Sequence, residues 1–473
     1  MQITPYSAPD FDPYGDRDTP DEEGGPWIAP TASGPLAARL RIPGSKSLTN
    51  RELVLAALAD GPSLLRAPLR SRDTALMVEA LRSLGVAIEE VPGEGGFGPD
   101  LLVTPPEELT GSTSIDCGLA GTVMRFVPPL AALALGPVAF DGDEHARRRP
   151  MRTSIEALRA LGVEVSDEGR GALPFTVHGS GAIRGGELEI DASASSQFVS
   201  GLLLAAPRFE EGLRLRHTGE RLPSLPHIEM TIHALRARGV EVASPEPGVW
   251  SVEPGPIGAL DVDIEPDLSN AAPFLAAALV AGGTVSIDGW PASTTQVGDD
   301  LRELLPRLGA EVRLEEGTLT VDGGAGVLGG SRPPALDLDL STGGELAPAI
   351  VALQAFAEGP GTVTGIGHLR GHETDRLMAL AAVFADVGGQ VTELDEGLAI
   401  TPRAMHGGPW RVFADHRMAT AAAIVGLAVE GIAVDDIGAT AKTLPEFPEL
   451  WARMLRGSEP EPAGPAGIDL LGL

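Results

Sequence analysis

Lysine is nearly missing from this chain. Of its 35 lysines and arginines only Lys46 and Lys442 are lysine. Arginine does not release its proton in a protein, whereas lysine is a compact charge whose pKa can be moved. A composition that uses arginine everywhere else sets these two positions apart. Cysteine is scarcer still. Cys117 stands alone, which excludes an intrachain disulfide and a cysteine metal cluster; its expected role is a small packed side chain. No stretch is long and apolar enough to span a membrane, and the N-terminus lacks the basic-then-apolar pattern of a secretory signal. An excess of positive charge is also absent. The net charge is −31, which argues against a nucleic-acid surface. An acidic protein that binds an anion must gather its cations locally, so clustered arginines carry information. The expected class is a cytoplasmic enzyme without membrane or nucleic-acid partners.

What the chain does have is length and apolar mass. Its 473 residues are 43% hydrophobic, enough for two or more domains. Residues 1–34 are rich in Pro, Asp, Glu and Gly and show no apolar periodicity. They read as a disordered acidic tail, with Phe11, Tyr14 and Trp27 as its only anchors. Residues 458–473 read as a second tail.

Between the tails the chain repeats itself. One unit is a polar turn, an apolar helix, a glycine and a β-rich segment. Six such turns precede apolar runs. Ser47–Asn50 leads into Leu53–Ala59, Ala120–Thr122 into Val127–Leu135, and Ser195–Gln197 into Phe198–Ala206. Asp267–Asn270 leads into Phe274–Ala281, Thr342–Glu345 into Ile350–Phe356, and Asp415–Arg417 into Met418–Val429. With Asn50, Thr122, Ser196, Asn270, Glu345 and His416 as markers, the steps are 72, 74, 74, 75 and 71 residues. A second helix in five of the units is expected to end at Gly85, Gly162, Gly239, Gly309 or Gly388, each suited to a left-handed C-cap. Six units make two pseudo-symmetric halves. If the helix N-termini converge, they form a cleft of positive helix ends, which favours anions.

The chemistry collects at those turns. The first gives Lys46, Ser47 and Arg51. The second, Cys117–Arg125, gives a glycine-rich approach with Gly121 and Arg125, and Arg147–Pro150 follows. The third gives Ser195, Ser196 and Gln197. The fifth gives Glu345, then comes His372–Arg376, and the sixth gives Asp415–Arg417 with Thr440–Thr443 after it.

In order these read PGSKS-x-x-NR, LAGT-x-x-R, ASSQF, HETDR, DHRMA and AKT-x-P-E-F. The set resembles the EPSP synthases (3-phosphoshikimate 1-carboxyvinyltransferases), the actinobacterial branch in particular, from about Leu36 to Leu455. The resemblance implies an α/β, two-domain enolpyruvyl transferase fold, an inside-out α/β barrel with six βαβαββ repeats. It places residues 35–46 plus 265–457 in one domain and 47–264 in the other, joined by a two-strand hinge. It implies a monomer that uses phosphoenolpyruvate and shikimate 3-phosphate, with no cofactor and no metal.

Carried over by position, Lys46, Ser47, Arg51, Ser195, Ser196, Gln197, Ser224, Glu345, His368 and His372 match the shikimate 3-phosphate site. Lys46, Gly121, Arg125, Arg149, Gln197, Arg376, Arg417 and Lys442 match the phosphoenolpyruvate site, where the resemblance also places the inhibitor glyphosate. Lys46, Glu345, Glu373 and His416 are the implied catalytic groups, with Glu345 as base and Lys46 and Glu373 sharing proton delivery. Leu119 and His368 stand where many relatives have asparagine, and His372 where many have lysine. Two alternatives stay open. A UDP-N-acetylglucosamine enolpyruvyl transferase would share fold and donor but differ in acceptor. A binding protein would keep the fold and bind without releasing phosphate.

Overall fold

The computed structural model describes residues 25–93 and 95–457. The expected tails up to residue 24 and from 458 onward lie outside the described residues. Residues 25–34 are not a tail. Trp27–Ile28 pairs antiparallel with the strand Ile432–Val434, and the Ala29 amide donates to the Ile432 carbonyl at 2.9 Å. Ala29 is buried against Gly426, where a Cβ would collide with it. A two-residue strand is too short to show a period, and its partner lies at the other end of the sequence.

Six helices fill the interior: Lys46–Ala57, Gly121–Ala132, Gln197–Ala205, Ala272–Ala281, Ala347–Gln354 and His416–Gly426. These are the six expected from the repeat and are called the first to sixth inner helices below. Ala272–Ala281 and Ala347–Gln354 are buried at every residue. A helix that is apolar all round belongs inside. The second inner helix ends at Ala132, not at Leu135, which opens the strand Leu135–Asp141. The apolar run passes from helix to strand without a polar break, so hydrophobicity could not mark that boundary.

The sheets lie outside the helices. Strand Leu36–Arg41 alternates buried and exposed residues along its length, as a strand with one solvated face must. A unit's sheet has one parallel and two antiparallel pairings. Thr113–Asp116 runs parallel to Leu135–Asp141, which pairs antiparallel with Phe175–Ser180, and that with Glu164–Ser166. The sixth sheet has three strands, the third being Trp27–Ile28. The sheets stay separate rather than joining into one hydrogen-bonded barrel.

The five C-terminal glycines of the outer helices have φ between 81° and 100°. At the first, the Gly85 amide donates to the Arg82 carbonyl and the Val86 amide to the Leu81 carbonyl. This pair of bonds is a Schellman motif, and it turns the chain into the next strand.

Two hydrophobic cores result. One runs from Leu53 to Ile257; the other combines Ala29–Ile42 with Leu268–Met454. The halves exchange strands. Leu36–Arg41 pairs with Gly283–Asp288, while Val262–Asp263 pairs with Ser63–Arg66. The chain therefore crosses between the cores twice. The crossings bond to each other, Ser45 amide to Glu265 carbonyl at 2.7 Å and Asp267 amide to Pro43 carbonyl at 2.8 Å. Gly44 sits at this crossing because a Cβ would run into the Ala67 carbonyl.

Candidate active site

One cavity between the cores takes residues from the N-terminal end of every inner helix. The positive ends of six helices meet there, an arrangement that suits an anion. Lys46, Ser47, Gly121, Arg125, Arg149, Ser195, Ser196, Gln197 and Ser224 line one wall. Glu345, His368, His372, Glu373, Arg376, His416 and Arg417 line the other. Two expected residues do not reach it. Arg51 is 1% exposed and spends its guanidinium on the protein. It donates to Ser47 O (2.8 Å), Thr231 Oγ1 (2.8 Å) and His227 O (2.9 Å). Burial pushes its pKa down to about 9. Lys442 stands behind Glu373, its Nζ donating to Oε1 at 2.6 Å.

The arginines of the cavity fall into two groups. Those on the second wall are neutralised. Arg376 donates to both oxygens of Asp415 (2.7 and 3.2 Å) and to Glu373 Oε2 at 3.1 Å. Arg417 donates to Ser269 Oγ at 3.0 Å and lies 3.8 Å from Glu345 Oε2. Asp415 caps the sixth inner helix by accepting from the Arg417 amide at 2.9 Å, so a single carboxylate fixes both arginines.

Arg125 and Arg149 form the other group. Both are buried, and among the described residues neither has a carboxylate at ion-pair distance. Their Nε atoms have no hydrogen-bond acceptor. They converge on Gly121, where an added Cβ would lie 3.1 Å from Arg149 Nη2 and 3.2 Å from Arg125 Nη1. Burial, and then the nearness of Arg149, pushes the Arg125 pKa well below its usual value. Two buried like charges beside a gap leave an anion's worth of charge uncompensated. Gln197 Oε1 is also buried without a partner.

Burial would raise the carboxyl pKa of Glu345, but His227, Arg417 and Lys46 outweigh it and hold it well below the usual range. Glu345 sits on the short 3-10 turn Gly344–Leu346 that feeds the fifth inner helix. Glu373 is held low in the same way, by Lys442, Arg376 and Arg149 acting against burial. In that ionised form Glu373 is a proton acceptor. Burial first, and then Arg417, pushes the His416 imidazole down to the neutral form, and its Nδ1 has no hydrogen-bond partner.

Sequence reasoning missed His227, Asp73, Asp267 and Ser269, all of which line the cavity. Asp73 Oδ2 lies 3.6 Å from Lys46 Nζ. Asp267 accepts from the Lys46 amide at 3.1 Å and so joins the two chain crossings at the first helix end. Asp267 and Ser269 stood in the fourth repeat turn, where they were visible as caps and not as site residues. Asp73 and His227 lie on outer helices, which the inner-helix repeat does not index.

The architecture has solved counterparts. An EPSP synthase from Acinetobacter baumannii matches with a TM-score of 0.73 at 23% identity, covering 90% of this chain and 97% of that one. The enolpyruvyl transferase NikO from Streptomyces tendae matches with a TM-score of 0.70 at 16% identity, covering 91% and 98%. At such identities the likeness speaks for the fold, that of an enolpyruvyl transferase. The sequence narrows this. The family model described as EPSP synthase (3-phosphoshikimate 1-carboxyvinyltransferase) matches residues 30–451. A 3-phosphoshikimate 1-carboxyvinyltransferase from Kocuria rhizophila is 57% identical over 438 residues, 92% of this chain and 97% of that protein. The chain belongs to the EPSP synthase family.

Proposed function

We propose that this cleft transfers the enolpyruvyl group of phosphoenolpyruvate to the 5-hydroxyl of shikimate 3-phosphate, releasing phosphate, with the following division of labour. The observation that carries the assignment is the uncompensated Arg125–Arg149 pair at Gly121. It takes the phosphate of phosphoenolpyruvate, and Arg417 and Arg376 take its carboxylate; arginine forks suit both groups. Ser195, Ser196, Ser224 and Ser47 take the sugar phosphate, with Gln197 between the two substrates and His368 and His372 at the acceptor ring. Arg51 acts on the acceptor indirectly, through the wall it holds.

Glu345, held ionised, accepts the 5-hydroxyl proton as the oxygen adds to the central carbon of phosphoenolpyruvate. Lys46 supplies the proton that turns the methylene into a methyl. The tetrahedral adduct then loses phosphate and a methyl proton, which restores the double bond. Ionised Glu373 is placed to accept that proton, with neutral His416 beside it and Lys442 balancing its charge. No helix among the described residues is long and apolar enough to cross a membrane. The net charge of −31 argues against a nucleic-acid partner.

The test offers phosphoenolpyruvate with each acceptor in turn. Phosphate release with shikimate 3-phosphate and none with UDP-N-acetylglucosamine is expected. Release with the nucleotide sugar alone would reassign the enzyme, and binding without release would make it a binding protein.

A further inference from the structure

Glu345 is met from across the cleft. The basic group nearest its carboxylate is the His227 imidazole, with Nε2 at 3.6 Å from Oε2, ahead of Arg417 Nη2 at 3.8 Å. His227 lies on the outer helix Leu225–Ala237, packed on the first core; Glu345 belongs to the second. A separation of 3.6 Å is ion-pair range, not a hydrogen bond, and such contacts often tighten only when substrate is bound. Both approaches are to Oε2, which leaves Oε1 for a hydroxyl.

The imidazole is carried on a fixed backbone. The His227 carbonyl accepts from Arg51 Nη2 (2.9 Å), Thr231 Oγ1 (3.0 Å) and Ser200 Oγ (3.4 Å). Its amide donates to Ser224 O at 3.0 Å. The segment before it also touches the opposite half. The Ser224 amide donates to the Ser341 carbonyl at 3.4 Å, and Arg221 Nη1 lies 3.0 Å from Glu396 Oε2.

We propose that His227 is the positioning residue of Glu345: it brings a donor to Oε2 from the opposite half, so the base is aimed when the cleft is shut. This rests on the reading of Glu345 as base. The other charged groups facing Glu345 are Arg417 and Lys46, with Arg51 and Arg376 further off; His368 faces His227 from the second half. The cations hold the charge of Glu345. The imidazole edge, approaching from the other wall, fixes its angle.

The experiment records kcat and KM against pH for wild type, His227→Phe, His227→Gln and Glu345→Gln. Phenylalanine keeps the ring volume and removes the donor; glutamine restores an N–H near Oε2. His227→Phe is expected to lower kcat by about ten- to a hundredfold, the scale of a misplaced catalytic group, with little change in the KM of phosphoenolpyruvate. Its acid limb moves to higher pH, because Glu345 loses a partner that favours the ionised form. His227→Gln recovers most of kcat. A wild-type acid limb and kcat in His227→Phe, or a loss that glutamine does not relieve, overturns the role of His227. Glu345→Gln separates the two readings: near-normal turnover there removes the base itself, whatever His227 does.

Discussion

Lys442 Nζ donates to Glu373 Oε1 at 2.6 Å, and both side chains are less than a tenth exposed. One of the chain's two lysines is thus committed to holding a carboxylate ionised. Arg376 takes the other carboxylate oxygen at 3.1 Å. Removing one partner of a buried ion pair leaves the rest uncompensated, which costs about 3–5 kcal/mol. Glu373→Gln should therefore unfold at lower urea than wild type. Added phosphate should recover more stability in the variant, since its cleft carries one more net positive charge. An unchanged midpoint would show that the pair contributes nothing.

Lys46 begins the first inner helix, and its Nζ faces Asp73 at 3.6 Å. Lys46→Arg keeps the charge but gives up a compact group able to release a proton. Turnover should fall by about a hundred- to ten-thousandfold, the usual scale of general-acid loss, while the melting curve stays put. Near-normal turnover would reduce Lys46 to a fixed charge.

The fold was legible because its period is long and its markers are polar. Six turns at steps of 71 to 75 residues located the six inner helices, and the glycines after the outer helices located their ends. Leu135 and Trp27–Ile28 were not legible, since one lies in an unbroken apolar run and the other finds its partner at the far end of the chain. In the site, polar residues in the repeat turns announced themselves. His227 did not, because its meaning depends on Glu345 across the cleft. Arg51 shows the opposite relation between motif and surroundings. Its motif position points to ligand, whereas its hydrogen bonds run to Ser47, Thr231 and His227.

Gly121 lacks a Cβ where two guanidinium groups converge. A methyl there would have to displace Arg149 or Arg125 and would narrow the space for the donor. Gly121→Ala should raise the KM of phosphoenolpyruvate several-fold and weaken glyphosate more, because the inhibitor is the longer molecule. Inhibition constants measured beside KM decide this. Equal losses for both ligands would remove the steric explanation.

Burial, and then Arg376, pushes the His368 imidazole down to about 4. His372 and His416 are pushed down too, by burial first. All three are neutral in the folded protein at neutral pH, whereas in the unfolded chain they titrate near about 6.5. As pH falls from about 6.5 toward about 4 the unfolded chain binds more protons, so stability falls across that window. His368→Asn removes one of these groups and should flatten the decline. Urea midpoints between pH 7.5 and 4.5 in a phosphate-free buffer test this; parallel curves would contradict it.

The most direct measurement is the turnover of Glu345→Gln beside its affinity for shikimate 3-phosphate. Glutamine keeps the size and a hydrogen bond to the hydroxyl but cannot take its proton. Loss of a general base costs about a hundred- to ten-thousandfold in rate, so kcat should fall by that much with the affinity nearly kept. Glu345→Asp should retain part of the rate. Turnover by Glu345→Gln within a few fold of wild type would place the base elsewhere, with Glu373 the first residue to examine.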